Sequence, residues 1–126
     1  MKLENPINFD IKKDYKKYSI SYINLKEIVQ GGPEVGNLMI DDILINTHYR
    51  FGGPMLFHLN SIYIPLFVKK FCKSGFILAK VNLKTHKIDF ISTIKDIIFL
   101  DSIDEENHKI YYYEDLHEQK RNHIEL

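Results

Sequence analysis

Three adjacent carboxylate pairs, Asp41-Asp42, Glu105-Glu106 and Glu114-Asp115, are the first residues in this chain whose types could do chemistry. Two carboxylates perform general acid–base work when a cleft holds them in unlike environments, so that one stays protonated while the other is ionised. Each of these pairs falls at an expected hairpin tip or strand end, where both groups are solvated and charged. They read as surface charge. The six histidines (His48, His58, His86, His108, His117 and His123) are scattered, with no H-E-x-x-H and no Cys/His cluster at metal-ligand spacing. Cys72 is the single cysteine. It excludes an intrachain disulfide and reads as a small buried hydrophobe rather than a nucleophile. No G-x-S-x-G is present. The residues assign no catalytic group, metal or cofactor.

The triplet Gly-Gly-Pro occurs twice, at 31–33 and 52–54. A phosphate cradle needs successive backbone N–H groups converging, usually at a helix N-terminus. Proline lacks that N–H and pushes the residue before it toward extended geometry. Neither triplet is followed by an amphipathic helix or belongs to a P-loop or dinucleotide-binding pattern. Both therefore read as places where the chain turns.

The elements that would position any site are strands. Isoleucine, tyrosine and phenylalanine abound and alanine occurs once, a composition that suits a pleated, half-buried surface. Residues 18–23 start a strand that 26–29 extend or kink. NLMIDDILIN forms a tight hairpin with Asp41-Asp42 at its tip and Leu38, Ile40, Ile43 and Ile45 along its arms. Residues 55–57, a turn at 58–61 and the apolar run 62–68 follow, and Pro65 places that run at an edge or a bulge. Over 76–83, Ile77, Ala79, Val81 and Leu83 share one face, with Phe76, Leu78, Lys80 and Asn82 on the other. A turn at 84–87 leads to Ile88, Phe90 and Ser92. Residues 97–101 and 110–113 flank a solvated tip, Asp104 to Asn107. Residues 8–15 hold at most a turn, and 115–126 read as a short helix or frayed end. The expected fold is mainly β, an antiparallel meander forming a β-sandwich or partly open barrel with little helix. It forms one domain over 1–126, with 1–14 and 117–126 peripheral to it.

Formal charge is zero, but it is segregated along the chain: 50–95 holds eight basic residues and one acid, and 96–118 holds eight acids and one lysine. Such polarity points to a charged recognition face, unless the two blocks fold together and cancel. No run is long enough to span a bilayer. Residues 1–18 lack the apolar core of a secretory signal, so a cytoplasmic location is expected. VKKFCKSGF at 68–76 interleaves Lys69, Lys70 and Lys73 with Phe71 and Phe76, as single-stranded nucleic-acid binders do. The acidic block would oppose any polyanion, and Phe71 and Phe76 are more simply core residues around a hairpin loop. In IYYYED at 110–115, Tyr111 and Tyr113 share one face of a strand and Ile110 and Tyr112 the other. With the second set in the core, the first lies open beside Asp104, Glu105, Glu106, Glu114 and Asp115. Rings supply area and charges supply steering, which suits a protein-binding patch. The competing arrangement buries both sets between two layers.

Taken together, GGPEVGNLMIDD, FGGPMLF, IYIPLFVKKF, GFILAKVNLKTHKIDFI and IYYYEDL resemble the small β-rich immunity proteins of bacterial polymorphic toxin systems, over about residues 25–116. The resemblance implies a catalytically bare cytosolic antidote that binds a cognate toxin, such as a nuclease domain, and occludes its active site. It implies Tyr111, Tyr113, Glu114 and Asp115 as anchors, with Asp104, Glu105 and Glu106 as steering charges. The alternatives are a ligand-binding or enzymatic barrel with a pocket lined by tyrosine and phenylalanine, and an accessory domain of a symmetric assembly.

Overall fold

A computed structural model describes residues 4–69 and 73–126. The sequence readings on Lys70, Phe71 and Cys72 lie outside the described residues. Twelve strands and no helix are found among those described: β1 (Lys12–Tyr15), β2 (Tyr18–Glu27), β3 (Glu34–Ile40), β4 (Ile43–Ile45), β5 (Arg50–Phe51), β6 (Leu56–His58), β7 (Ser61–Lys69), β8 (Ser74–Asn82), β9 (Ile88–Phe90), β10 (Phe99–Asp104), β11 (Lys109–Tyr113) and β12 (Arg121–Glu125). The mainly β, antiparallel expectation holds, and the sheets do not close into a barrel.

Nine strands form one sheet in the order β1-β2-β3-β5-β7-β8-β9, with β4 on β3 and β6 on β7. The two-residue β5 is its fold line, since Phe51 pairs with Leu66 of β7 and sits opposite Gly36 of β3. Beyond β5 the sheet splits into two leaves, β1–β4 and β6–β9, which close over one core. Ile20, Tyr22, Leu38, Ile40 and Ile45 from one leaf meet Ile62, Ile64, Leu66, Ala79 and Val81 from the other, around Phe51 and Phe9. Tyr15 pins the rims together: its ring stacks on Phe57 at 4.5 Å and its hydroxyl donates to the Leu59 carbonyl at 2.9 Å.

The hairpin read from NLMIDDILIN is present, with Ile40 opposite Ile43 and Leu38 opposite Ile45. Asp41 and Asp42 both take positive φ, 50° and 65°, the paired left-handed geometry that matches strand twist in a two-residue loop. Asp41 also ties the turn to β2, its carboxylate accepting from the Ser19 N–H at 2.9 Å.

Both Gly-Gly-Pro triplets turn the chain. In the first, Gly31 sits at φ 75°, and the Gly32 N–H donates to the Val29 carbonyl at 2.9 Å. In the second, a Cβ on Gly53 would stand 2.7 Å from the Phe9 ring, so only glycine lets the backbone pass. The Gly52 carbonyl next to it accepts from the buried Tyr22 hydroxyl at 2.7 Å.

Three readings are corrected. Pro65 lies neither at an edge nor in a bulge, because β7 pairs with β8 along its length and with β5 and β6 on its other side. The Pro65 carbonyl accepts from the Gly52 N–H at 2.8 Å. In a strand, N and carbonyl of one residue face the same side. The missing donor of Pro65 therefore faces the gap between β5 and β6, where the ladder is already interrupted. The end of the chain is neither helical nor frayed: Arg121–Glu125 is β12, paired in register with β11. Residues 12–15, read as at most a turn, form β1 against β2.

The separate three-stranded sheet, β10-β11-β12, counted third after the two leaves, packs on the outer face of the β7–β8 pair. Its inward residues Leu100, Ile110 and Tyr112 meet Tyr63, Phe76 and Leu78 in a second core. Strands β7 and β8 are thus a middle layer buried on both faces, which explains the near-continuous apolar run at 62–68. Phe76 and Leu78, opposite the first core's face in the alternation, belong to the second core.

Candidate protein-interaction face

The outer face of the third sheet is the surface that carries the tyrosines. On β11, Ile110 is wholly buried and Tyr112 is 2% exposed, while Tyr111 and Tyr113 are half-buried on the opposite face. Strand alternation alone accounts for the split. Burial raises the Tyr112 pKa, with the Glu114 carboxylate adding to it.

Register sets the neighbours. Tyr113 lies between Phe99 and Arg121, Tyr111 between Ser102 and His123, and Lys109 between Asp104 and Glu125. The Arg121 guanidinium stands over the Tyr111 ring at 4.1 Å from its centroid, and the His123 ring flanks it at 5.7 Å. A guanidinium so placed on an exposed ring contributes about 0.5–1 kcal/mol. The Asp101 carboxylate holds the same guanidinium at 3.3 Å, and the Tyr113 ring leans on Phe99 at 5.7 Å.

The seven residues expected to bind a partner fall into three places. Tyr111 and Tyr113 form the centre. Asp104, Glu105 and Glu106 form the β10–β11 turn at one end, and Glu114 and Asp115 begin the β11–β12 turn at the other. The two acidic ends are separated by the length of β11, about 16 Å for a five-residue strand. They flank the tyrosines without forming one acidic patch.

Several of these acids have structural work. The Asp104 carboxylate accepts from the Asn107 side-chain amide at 2.8 Å and from the Asn107 N–H at 3.2 Å. Those bonds hold its pKa below the usual value, the side-chain bond first. Asp115 accepts from the Lys120 N–H at 2.9 Å and the Gln119 N–H at 3.0 Å, and the Lys120 bond leads in lowering its pKa. Glu114 accepts from the Asn122 amide at 2.9 Å and lies 3.8 Å from the Lys95 ammonium. Glu105 reaches the His58 ring at 3.1 Å, tying the tip to β6 while remaining 76% exposed. The side chain of Glu106 is exposed, with no hydrogen bond or ion pair among the described residues.

Arg121, His123 and Asp101 were not anticipated, because β12 was not. A signal did exist: Ile124 and Leu126 are spaced by two and alternate with Arg121, His123 and Glu125. Both apolar residues pack against the second core, and the polar ones stand outward. The face is therefore mixed in charge: a cation over the Tyr111 ring, with acids at both ends.

Other surfaces of the described residues bear on the alternatives. The first core is filled with side chains and no buried polar side-chain atom lacks a partner. One solvent-open cleft of about 370 Å³ is lined by Lys26, Arg50 and Lys69 around Ile28, Val35 and Phe67. Among the described residues no three His, Cys, Asp or Glu converge as metal ligands, and no helix is long and apolar enough to cross a membrane. No protein-family model, curated protein or solved structure matches the chain.

Proposed function

We propose that this chain is an immunity-type interaction protein that binds a cognate toxin domain through the outer face of the β10–β12 sheet and blocks it by occlusion. The observation that carries the reading is the half-buried Tyr111 ring beneath the exposed Arg121 guanidinium, with Asp101 paired to the guanidinium and His123 flanking the ring. Preformed aromatic and arginine groups are the residue types that dominate binding energy at protein interfaces, because they bring large area at little ordering cost. Glu105 and Glu106 at one end supply an exposed negative tip that would steer a basic partner and raise the association rate. The filled first core and solvent-open clefts favour a surface mechanism over an enclosed ligand chamber.

The test is co-expression with the toxin domain encoded beside the gene, followed by co-purification. Tyr111→Ala and Arg121→Ala should each weaken the complex by at least about 2 kcal/mol, some thirtyfold, as interface anchors do. Glu105→Lys with Glu106→Lys should chiefly slow association and blunt its salt dependence. Complete retention of binding and protection by the Tyr111→Ala, Arg121→Ala double variant would refute this face as the docking surface.

A further inference from the structure

Arg50 and Lys69, from the basic block at 50–95, meet Lys26 of β2 around the cleft of about 370 Å³. Register explains why cations from three strands share it. Lys26 lies opposite Val35, Arg50 opposite Phe67, and Lys69 opposite Ser74, and residues directly opposed on paired strands share a face. Gly36 lies opposite Phe51, whose ring enters the first core. Val35 and Arg50, each one residue away, therefore project to the other face. That is the face on which the β10–β12 sheet packs, and Val35, Phe67 and Ile28 pack against the second core. No residue of β10–β12 lines the cleft, so this end of the face is left open.

Among the described residues no carboxylate pairs with any of the three cations. The Arg50 guanidinium donates to a neutral group, the Thr47 carbonyl, at 3.3 Å. Glu27 is the one acid in the lining, and its carboxylate accepts from the Gly31 N–H at 3.2 Å. Three cations less one carboxylate leave a formal charge of +2 around an apolar floor. The complement is an anion of two charges on an apolar body. A phosphate monoester carries about −1.5 to −2 at neutral pH, whereas a carboxylate or sulfonate carries one charge. Guanidinium and ammonium groups are the usual phosphate donors. The volume lies at the small end of the roughly 300–1,000 Å³ typical of ligand clefts, which suits a body of one ring. A second lysine-lined cleft, at Lys16, Lys17 and Lys84, has no aliphatic residue in its lining, and the Lys16 and Lys17 ammonium groups already stand over the Tyr15 and Tyr18 rings.

We infer that the Lys26–Arg50–Lys69 cleft binds a small, free phosphate monoester with an aromatic body. The three cations hold the phosphate, and the ring lies on the floor made by Ile28, Val35 and Phe67. The site shares no residue with the outer face of the β10–β12 sheet and does not depend on what that face binds.

Amide NMR titration of the whole chain with phenyl phosphate at low ionic strength tests this, with inorganic phosphate and phenol titrated in parallel. The expected result is saturable shift changes at Lys26, Ile28, Arg50, Phe67 and Ser74. Phenyl phosphate should bind at least about tenfold more tightly than either fragment, and added salt should weaken it. The double variant Lys26→Gln, Lys69→Gln changes two exposed side chains without ion pairs. It should weaken phenyl phosphate at least about fivefold, with circular dichroism reporting an unchanged fold. No saturable change with phenyl phosphate overturns the inference, as does affinity no better than that of phosphate or phenol. So do shift changes centred on Lys16, Lys17 and Lys84, or a double variant that binds as tightly as the parent chain. A phosphotyrosine peptide that binds where the free ester does not would overturn the assignment to a free ligand.

Discussion

Ile110→Ala and Tyr111→Ala change neighbouring residues on opposite faces of β11, and they should have opposite consequences. Ile110 is fully buried between the third sheet and the β7–β8 pair. Truncation removes three carbon groups at about 0.8 kcal/mol each, roughly 2.4 kcal/mol of lost transfer energy. The cavity left behind raises the total to about 2.5–4 kcal/mol. Against the ~5–15 kcal/mol typical of a domain this is a large fraction. For a chain of this length it should lower Tm by roughly 10 °C. Tyr111 is half-buried and loses mainly its arginine contact, worth about 0.5–1 kcal/mol. Urea unfolding followed by far-UV circular dichroism gives both values. Hydrogen exchange should show the Ile110→Ala loss concentrated in β10–β12. Partner binding should fail in Tyr111→Ala and survive in Ile110→Ala wherever that variant is folded. Equal destabilisation by the two changes, or an Ile110→Ala cost below about 1 kcal/mol, would refute the face assignment and with it the packing of the third sheet.

Other outcomes follow from named contacts. Gly53→Ala sets a methyl against the Phe9 ring at 2.7 Å and should cost about 1–3 kcal/mol by overpacking, read as a fall in the urea midpoint. Tyr22→Phe leaves the Gly52 carbonyl without its buried donor and should cost about 1–2 kcal/mol in the same assay, with no effect on the third sheet. Asp104 and Asp115 have lowered folded-state pKa values, so the unfolded chain takes up their protons first. Their contribution to stability is complete above the ordinary aspartate pKa of about 3.9 and drains away as pH falls below it. Thermal melts should therefore be flat in this term from neutrality to about pH 5 and decline below about pH 4. The Asp104→Asn, Asp115→Asn pair should make that acid limb shallower, and an unchanged limb would show that these turn bonds do not contribute.

Local pattern made much of the layering legible. The Asp41-Asp42 hairpin, the β8 alternation and the inward set of Ile110 and Tyr112 follow from period-two burial and turn chemistry. Other features depend on partners distant in sequence. Strand β12 offers only Ile124 and Leu126 as apolar signals, and β1 is mostly polar, so each is a strand because β11 or β2 presents an edge to it. The placement of Pro65 went wrong for the same reason: a proline is barred from an interior ladder only where its N faces a paired neighbour, and here it faces the break between β5 and β6. The continuous apolar run at 62–68 was a visible sign of burial on two faces, and hence of a third layer. At the candidate site the tyrosines and acids could be read from sequence, whereas Arg121, Asp101 and His123 could be placed beside them only by pairing with β12 and by the bulge between Leu100 and Ser102.

Hydrogen exchange of the chain alone and saturated with the partner proposed above, a toxin domain bound in co-expression, locates the docking surface most directly. Slowed exchange in 109–113 and 121–125, with the Lys26–Arg50–Lys69 cleft and the β4 edge unchanged by the toxin, is the outcome expected of an outer face built on Tyr111 and Arg121. Slowed exchange confined to that cleft or to β4, with the third sheet unaffected, would contradict it.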